Sequence, residues 1–234
     1  MTKVLVINGS PRKGEGNTAG ILAPFIGRME DAGASVELLY AADLDVNDCL
    51  ADFNCWFQNP GECIQNDGMQ EIYPKVREAD ILILATPVYI PIPGCMANFL
   101  NRMCPIIEPE LEFRDGRTRG RRPEGVKLSK LVLVSTSGWW EVENMGIVLK
   151  IVQELAMNLG VEFGGAVLRP HAFILREKPD EKREIRGSLR KAGRMLIESG
   201  SMPTELLDSI SRPLLPEPEL RDRYRSSYER AKGG

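Results

Sequence analysis

Short apolar runs alternate with segments whose apolar residues recur at helical spacing along most of the chain. The runs predict five buried strands near residues 3–7, 35–40, 80–86, 130–135 and 161–168. The segments between them predict helices over residues 17–32, 68–78, 94–103, 144–158 and 180–198. This alternation predicts a three-layer α/β fold, in which a five-stranded parallel sheet carries helices on both faces.

Three segments fall outside the alternation, and the first of them, residues 43–66, carries three cysteines. Residues 106–128 contain an arginine-rich run that predicts a solvated loop, with a basic lid for a nucleotide phosphate or an oligomer contact as alternatives. Residues 203–232 place four prolines among short apolar pieces, and a charged helix is predicted from about residue 217. We therefore expect one domain over residues 1–200 and a C-terminal extension over 201–234, which wraps a neighbouring subunit or the domain's own surface.

The first strand runs directly into a loop rich in glycine and hydroxyl groups, residues 9–18, which we call the glycine-rich loop. Its backbone N–H groups and the positive end of the following helix would both face an anion. A nucleoside-triphosphate loop requires Lys and a hydroxyl residue where Glu15 and Gly16 stand, and a dinucleotide fingerprint requires glycines nearer the strand. The remaining groups suit a phosphate monoester bound without metal, as in a site for flavin mononucleotide (FMN). An ordinary turn with a helix-capping side chain is the alternative.

Two further strand ends carry candidate binding residues. The third strand ends in a proline-rich turn over residues 87–94, which holds the backbone extended and suits the edge of a flat heteroaromatic ring. A plain connection to the next helix is the alternative. The fourth strand runs into small hydroxyl residues and the indoles of Trp139 and Trp140, which could line the same opening or serve as core or interface anchors. Ligands of open α/β sheets bind at such carboxyl ends.

Two groups of residues resemble a known family. The glycine-rich loop and the proline-rich turn are similar to those of the NAD(P)H-dependent FMN reductase family, within the flavodoxin-like superfamily, through Gly9-Ser10-Pro11-Arg12-Lys13, Gly16-Asn17-Thr18 and Pro87-Val88-Tyr89. The second group resembles the iron–sulfur flavoprotein branch of that family, through Cys49, Cys55-Trp56, Gly61-Glu62-Cys63, Asp67-Gly68-Met69 and Ala79-Asp80. The resemblance covers roughly residues 3–170.

The resemblance implies a flavodoxin-like fold, bound FMN, and two-electron chemistry with a nicotinamide nucleotide or an electron carrier as donor. The acceptor would be a quinone, a free flavin, another small molecule or a protein. Flavodoxin-like strand order, 2-1-3-4-5, would bring the ends of the first and third strands together at the FMN site. The resemblance also implies a homodimer or homotetramer. An iron–sulfur electron carrier and a non-catalytic flavin-binding protein are the competing functions.

Each predicted FMN contact has a role. The phosphate would be held by loop amides and by the side chains of Ser10, Arg12, Asn17 and Thr18. The ring would meet the backbone of Pro87, Val88, Tyr89 and Ile90, with Ser137 and Gly138 on a third side. Because the cofactor carries the chemistry, no catalytic acid or base is predicted.

The cysteines define a second, weaker candidate site. Cys49, Cys55 and Cys63 lie in one predicted loop and could ligate a cluster as thiolates, but Asp52 stands where the family pattern has a further cysteine. The missing thiol argues against an iron–sulfur cluster, and the spacing lacks the paired Cys-x-x-Cys of zinc sites. Cys95 and Cys104 are interpreted as packing residues, and the single histidine, His171, as structural.

Composition narrows the class of protein. The chain has 234 residues, 43% of them hydrophobic and 27% charged, with a net charge of −3, which is ordinary for a globular protein and gives no reason to expect nucleic acid or a membrane as partner. The first strand begins within three residues of the N-terminus, so no signal peptide is predicted, and five cysteines argue against a disulfide framework. We therefore expect a cytoplasmic protein whose partners are small molecules.

Overall fold

A computed structural model describes residues 1–233, in which one central sheet organises the chain. Its five strands are parallel and lie in the order β2-β1-β3-β6-β7, with bounds β1 Lys3–Asn8, β2 Ser35–Tyr40, β3 Ile81–Pro87, β6 Lys130–Thr136 and β7 Glu162–Arg169. The flavodoxin-like fold and strand order predicted from the sequence are confirmed. Each predicted strand lies within one residue of its observed bounds. The order brings the carboxyl ends of β1 and β3 side by side, with Asn8 paired to Ala85.

Eight α-helices accompany the sheet in the described residues: α1 Asn17–Asp31, α2 Asn54–Phe57, α3 Met69–Glu78, α4 Gly94–Asn101, α5 Gly146–Leu159, α6 Pro179–Glu198, α7 Thr204–Ser211 and α8 Glu217–Lys232. Successive strand residues point to opposite faces of the sheet, so Val4 and Val6 enter one core and Leu5 and Ile7 the other. The first core is closed by α1, α6 and the C-terminal helices, and the second by α3, α4 and α5. No helix among residues 1–233 is long and apolar enough to cross a membrane.

The prediction of a solvated loop over residues 106–128 is wrong. Strands β4 (Glu108–Arg114) and β5 (Arg117–Arg121) form an antiparallel hairpin there. The turn consists of Asp115 and Gly116, both at positive φ, which is the pattern of a two-residue hairpin turn. Its arginines pair with nearby acids and carbonyls: Arg117 lies 3.2 Å from the Glu154 carboxylate of α5, and Arg114 Nη2 donates to the Met157 carbonyl at 3.0 Å.

The C-terminal segment packs on its own chain. Met202, Ile210, Leu214, Leu215 and Leu220 are buried in the same core as α1 and α6. This core therefore continues past residue 200, because α7 packs against β7 and the apolar residues on either side of α7 join the same cluster.

A buried arginine and the histidine hold this segment in place. Arg169, at the end of β7, donates to the Pro170 carbonyl at 2.8 Å and to the Arg212 carbonyl at 2.7 Å. It also donates to the Ile210 carbonyl, so its guanidinium satisfies carbonyls left open at the end of α7. The Leu214 N–H donates to His171 Nε2 at 3.0 Å.

Acid is expected to weaken this attachment. Burial, and secondly the charge of Arg169, lower the pKa of His171 from 6.5 to about 4, so the folded chain binds fewer protons than the unfolded chain between these values. The neutral, buried His171 therefore contributes fully to the free energy of unfolding above pH 6.5. This contribution falls as the pH drops toward 4, by roughly 3 kcal/mol in total. Urea unfolding of wild type and His171→Gln between pH 7.5 and 4 measures it, because glutamine does not titrate. Equal pH dependence in the two proteins would contradict the assignment.

Candidate functional site

The glycine-rich loop is held in shape by hydrogen bonds near the end of β1. The Ser10 N–H donates to Asn8 Oδ1 at 2.9 Å, the Lys13 N–H donates to the Ser10 carbonyl at 2.9 Å, and the Gly9 N–H donates to Ala85 on β3 at 2.7 Å. Asn8 is completely buried, and its Nδ2 has no hydrogen-bond partner among residues 1–233. Asn8 is a part of the site that the sequence analysis did not single out.

The start of α1 is open to an anion. Gly16 precedes the helix, no side chain caps the first N–H groups, and the first turn contains no acidic residue. The first N–H groups of a helix have no partner within it. A Cβ added at Gly16 would lie 2.6 Å from Ser10 Oγ, so only glycine leaves the space beside that hydroxyl open. The geometry fits a phosphate group, because uncapped amides and the helix dipole converge on one small space.

A cavity of about 200 Å³, which we call the strand-end cavity, joins the loop to the ends of β3 and β6. It brings together all the residues predicted to contact FMN except Ile90, whose side chain is 99% exposed and lies outside the lining. The lining residues are Ser10, Arg12, Gly16, Asn17, Thr18, Pro87, Val88, Tyr89, Thr136, Ser137 and Gly138. Three strand ends therefore contribute to one opening, as the strand order requires.

The proline-rich turn offers fewer backbone donors than the sequence suggested. The Val88 N–H donates to the Thr136 carbonyl at 2.8 Å, and the Tyr89 N–H donates to the Pro91 carbonyl at 2.8 Å. Both groups are therefore occupied within the chain. The Ile90 N–H donates to no group in the described part of the chain, so it is one donor that this turn leaves for a ligand.

Two residues absent from the sequence prediction complete the opening. Thr136 Oγ1 lies 2.8 Å from Thr18 Oγ1, so the end of β6 fixes the hydroxyl at the start of α1. Tyr224 of α8 donates from its hydroxyl to the Gly138 carbonyl at 3.2 Å, which brings the C-terminal helix over the third side. Thr136 could have been found from its place at a strand end, whereas nothing in the sequence near Tyr224 connects it to Gly138.

Four cysteines line a separate cavity of about 150 Å³, which we call the cysteine cavity. Cys49, Cys55 and Cys63 meet Cys104, which the sequence analysis treated as a packing residue. Burial raises the pKa of the Cys104 thiol to about 12. Burial also raises the pKa of Cys55, so both groups are thiols rather than thiolates at neutral pH.

The cysteine cavity does not fit a metal centre as it stands. Within residues 1–233, no three His, Cys, Asp or Glu side chains lie close enough together to hold a metal ion. The Asp52 carboxylate accepts the Asn54 N–H at 2.9 Å, and Cys63 Sγ accepts from Arg102 Nη2 at 3.3 Å. We therefore assign no chemistry to a cluster at this place.

Comparison with known proteins agrees with the geometry. The family model for NADPH-dependent FMN reductase matches residues 2–139, more than half of the chain. An iron–sulfur flavoprotein of Archaeoglobus fulgidus is 36% identical over 104 residues, which cover 44% of this chain and 46% of that protein. The chain thus spans about half the length of the curated relatives it matches.

Solved structures share the fold at low sequence identity. An FMN-dependent NADH-azoreductase from Bacillus anthracis, solved in complex with FMN, matches with a TM-score of 0.62 and 16% identity, over 84% of this chain and 100% of that chain. An NAD(P)H:quinone oxidoreductase from Methanothermobacter marburgensis matches with a TM-score of 0.58 and 16% identity, over 83% of this chain and 96% of that chain. Together, the sheet order, the strand-end cavity and the matched family model show that this chain belongs to the NADPH-dependent FMN reductase family.

Proposed function

We propose that the chain binds FMN in the strand-end cavity and passes electrons from a nicotinamide nucleotide to a small acceptor. One observation carries the proposal: an uncapped helix start, suited to a phosphate, and a proline-rich turn, suited to a flat ring, line the same cavity. Family membership supports the choice of ligand. The names of the structural neighbours suggest quinones and azo compounds as the first acceptors to test.

The phosphate would lie at the start of α1. The N–H groups of its first turn, with the hydroxyls of Ser10 and Thr18, would donate to its oxygens, and the Arg12 guanidinium would balance its charge. Ser10 and Thr18 are almost completely buried, so their hydroxyls are preorganised before the ligand binds. Thr136 fixes the Thr18 hydroxyl through the 2.8 Å contact.

The ring would lie between the proline-rich turn and the residues after β6. Pro87 and Val88 would limit its movement on one side and Gly138 on the other, and the free Ile90 N–H would donate to an acceptor on its edge. When bound, FMN supplies the two-electron chemistry. No acid or base is assigned, because the only histidine is buried beneath the C-terminal segment and does not line the strand-end cavity.

Removing single donors is expected to release the cofactor. Asn17→Ala and Thr18→Val should each weaken FMN binding about tenfold or more, because a hydrogen bond to a charged group contributes about 1.5–3 kcal/mol. Equilibrium dialysis with flavin fluorescence measures the affinity. Thr118→Val is the matched control, since Thr118 is exposed on the hairpin. Unchanged affinity in both site variants would contradict the placement of the phosphate, and a protein that cannot be loaded with FMN would overturn the proposed function.

A second candidate function is electron carriage through an iron–sulfur cluster. The names of the curated relatives favour it, whereas the side chains of the cysteine cavity do not lie close enough together within residues 1–233 to hold a metal ion. Measuring iron and acid-labile sulfide in protein purified without air distinguishes the two functions. Electron carriage through a cluster requires both, and their absence would exclude it. The cytoplasmic location and the homodimer or homotetramer implied by the resemblance stay predictions.

A further inference from the structure

A second cavity lies directly behind the strand-end cavity. It has a volume of about 230 Å³ and is enclosed by the end of the glycine-rich loop, the first turns of α1, the turn after β7 and one face of α6. The two cavities share Gly16 and Asn17 in their linings, so they adjoin at the start of α1. We call this second space the basic cavity.

Three cations line the basic cavity without a carboxylate partner. Within residues 1–233, Arg176, Lys182 and Arg186 take part in no ion pair. Of the other α6 cations, Arg183 lies 2.8 Å from Asp180 and Arg194 lies 2.7 Å from Glu198. Arg190 and Lys191 also take part in no ion pair among residues 1–233, but they do not line the cavity. Glu15 is the one carboxylate among the residues that line the basic cavity, so positive charge exceeds negative charge there.

The floor of the basic cavity is apolar. Ile21 of α1 and Ile185 and Leu189 of α6 are buried beneath it, and Leu175 closes one side. Arg176 stands at the boundary with the strand-end cavity, where its Nη2 donates to Asn17 Oδ1 at 3.3 Å. An apolar floor with cations at the rim suits a ligand that has a flat heterocycle and more than one phosphate group.

We propose that the basic cavity binds the phosphorylated adenosine of the electron donor and selects NADPH over NADH. The inference rests on the proposed function, because it assigns the far end of the donor to a space beside the FMN site. The 2′-phosphate distinguishes NADPH from NADH and carries two negative charges near neutral pH. Lys182 and Arg186 are one helical turn apart on α6 and would hold it, because residues four positions apart share a helix face. The adenine would cover Ile185 and Leu189.

Direct binding tests the site without turnover. Adenosine 2′,5′-bisphosphate, adenosine 5′-diphosphate and inorganic phosphate are titrated calorimetrically into FMN-loaded protein. The compared proteins are wild type, Lys182→Gln/Arg186→Gln, and Arg183→Gln, which removes a neighbouring α6 cation that does not line the cavity. We expect the bisphosphate to bind wild type most tightly. The double variant should lose about tenfold or more of that affinity, and Arg183→Gln should retain it.

Kinetics on the same proteins provide a second readout. The KM for NADPH should rise about tenfold or more in the double variant, while the KM for NADH changes less than twofold and the FMN content stays at the wild-type level. Equal binding of the three probes, unchanged affinity in the double variant, or equal loss in Arg183→Gln would overturn the inference. Loss of FMN from the double variant would also overturn it, because the two cations would then belong to the cofactor site. Retained FMN without bisphosphate binding refutes this inference alone, whereas failure to load FMN refutes the proposed function.

Discussion

Asp67→Ala is expected to lower the free energy of unfolding by about 3–5 kcal/mol, because it leaves a buried guanidinium without its counter-ion. The side chains of Asp67 and Arg102 are each 1% exposed, and Arg102 Nη1 lies 2.5 Å from Asp67 Oδ2. The carboxylate also accepts the N–H groups of Asn47 and Met69 at 3.0 Å. The pair therefore joins the cysteine-containing segment to the end of α4, and its loss should disorganise the cysteine cavity first.

The acid dependence of this contribution has a defined sign. Burial alone would raise the pKa of Asp67, but the hydrogen bonds from Arg102, Asn47 and Met69 outweigh it and hold the pKa below its ordinary value of 3.8. The ionised Asp67 carboxylate therefore stabilises the fold fully above pH 3.8. This contribution to the free energy of unfolding is lost as the pH falls through the lowered pKa. Urea unfolding of wild type and variant at pH 7 measures the loss.

Two variants keep the Asp67 prediction falsifiable. Asp222→Ala removes an exposed carboxylate and should change stability by less than about 0.5 kcal/mol. Asp67→Ala/Arg102→Met removes both charges and should recover part of the loss, since the uncompensated guanidinium is gone. A double variant no more stable than Asp67→Ala would show that the lost backbone hydrogen bonds, and not the ion pair, account for the effect.

Gly193→Ala is expected to destabilise the protein by about 3 kcal/mol through overpacking, although alanine is the better helix former. A Cβ at Gly193 on α6 would lie 2.0 Å from the Phe25 carbonyl oxygen of α1. That oxygen belongs to the backbone, so the two helices must move apart. Because α1 carries the phosphate end of the strand-end cavity and α6 carries the cations of the basic cavity, FMN binding should weaken as well.

Gly187→Ala on the same helix is the matched control. A Cβ at Gly187 meets nothing within 4 Å, so alanine should stabilise the protein by about 0.5–1 kcal/mol. Thermal and urea unfolding of the two variants should therefore shift in opposite directions. A neutral or stabilising Gly193→Ala would mean that α1 and α6 do not pack as closely as described.

Local sequence patterns were sufficient to predict the sheet and most of the residues that line the strand-end cavity. The apolar runs are long and uninterrupted, and parallel strands place their carboxyl ends at one edge whatever the details of packing. The hairpin was missed because the arginines of residues 114–122 look solvated in isolation, although Asp115-Gly116 is a hairpin signal. Glu154, Met157 and the rest of α5 supply the partners that make the hairpin stable, and α5 follows it in the chain.

The sequence by itself determined the five-stranded parallel sheet, the starts of six of the eight helices and most of the residues that meet at the carboxyl edge of the sheet, because these depend on periodicity and on short-range backbone chemistry. Tertiary structure alone decided which long-range neighbours each side chain meets. It placed Cys104 beside Cys55, Tyr224 over Gly138, and Lys182 and Arg186 behind the glycine-rich loop. These residues are distant in the chain from their partners. The packing of α6 and α8 against the first core brings Lys182, Arg186 and Tyr224 to their sites, whereas Cys104 follows α4 beside the second core, where Met103 and Ile106 are buried.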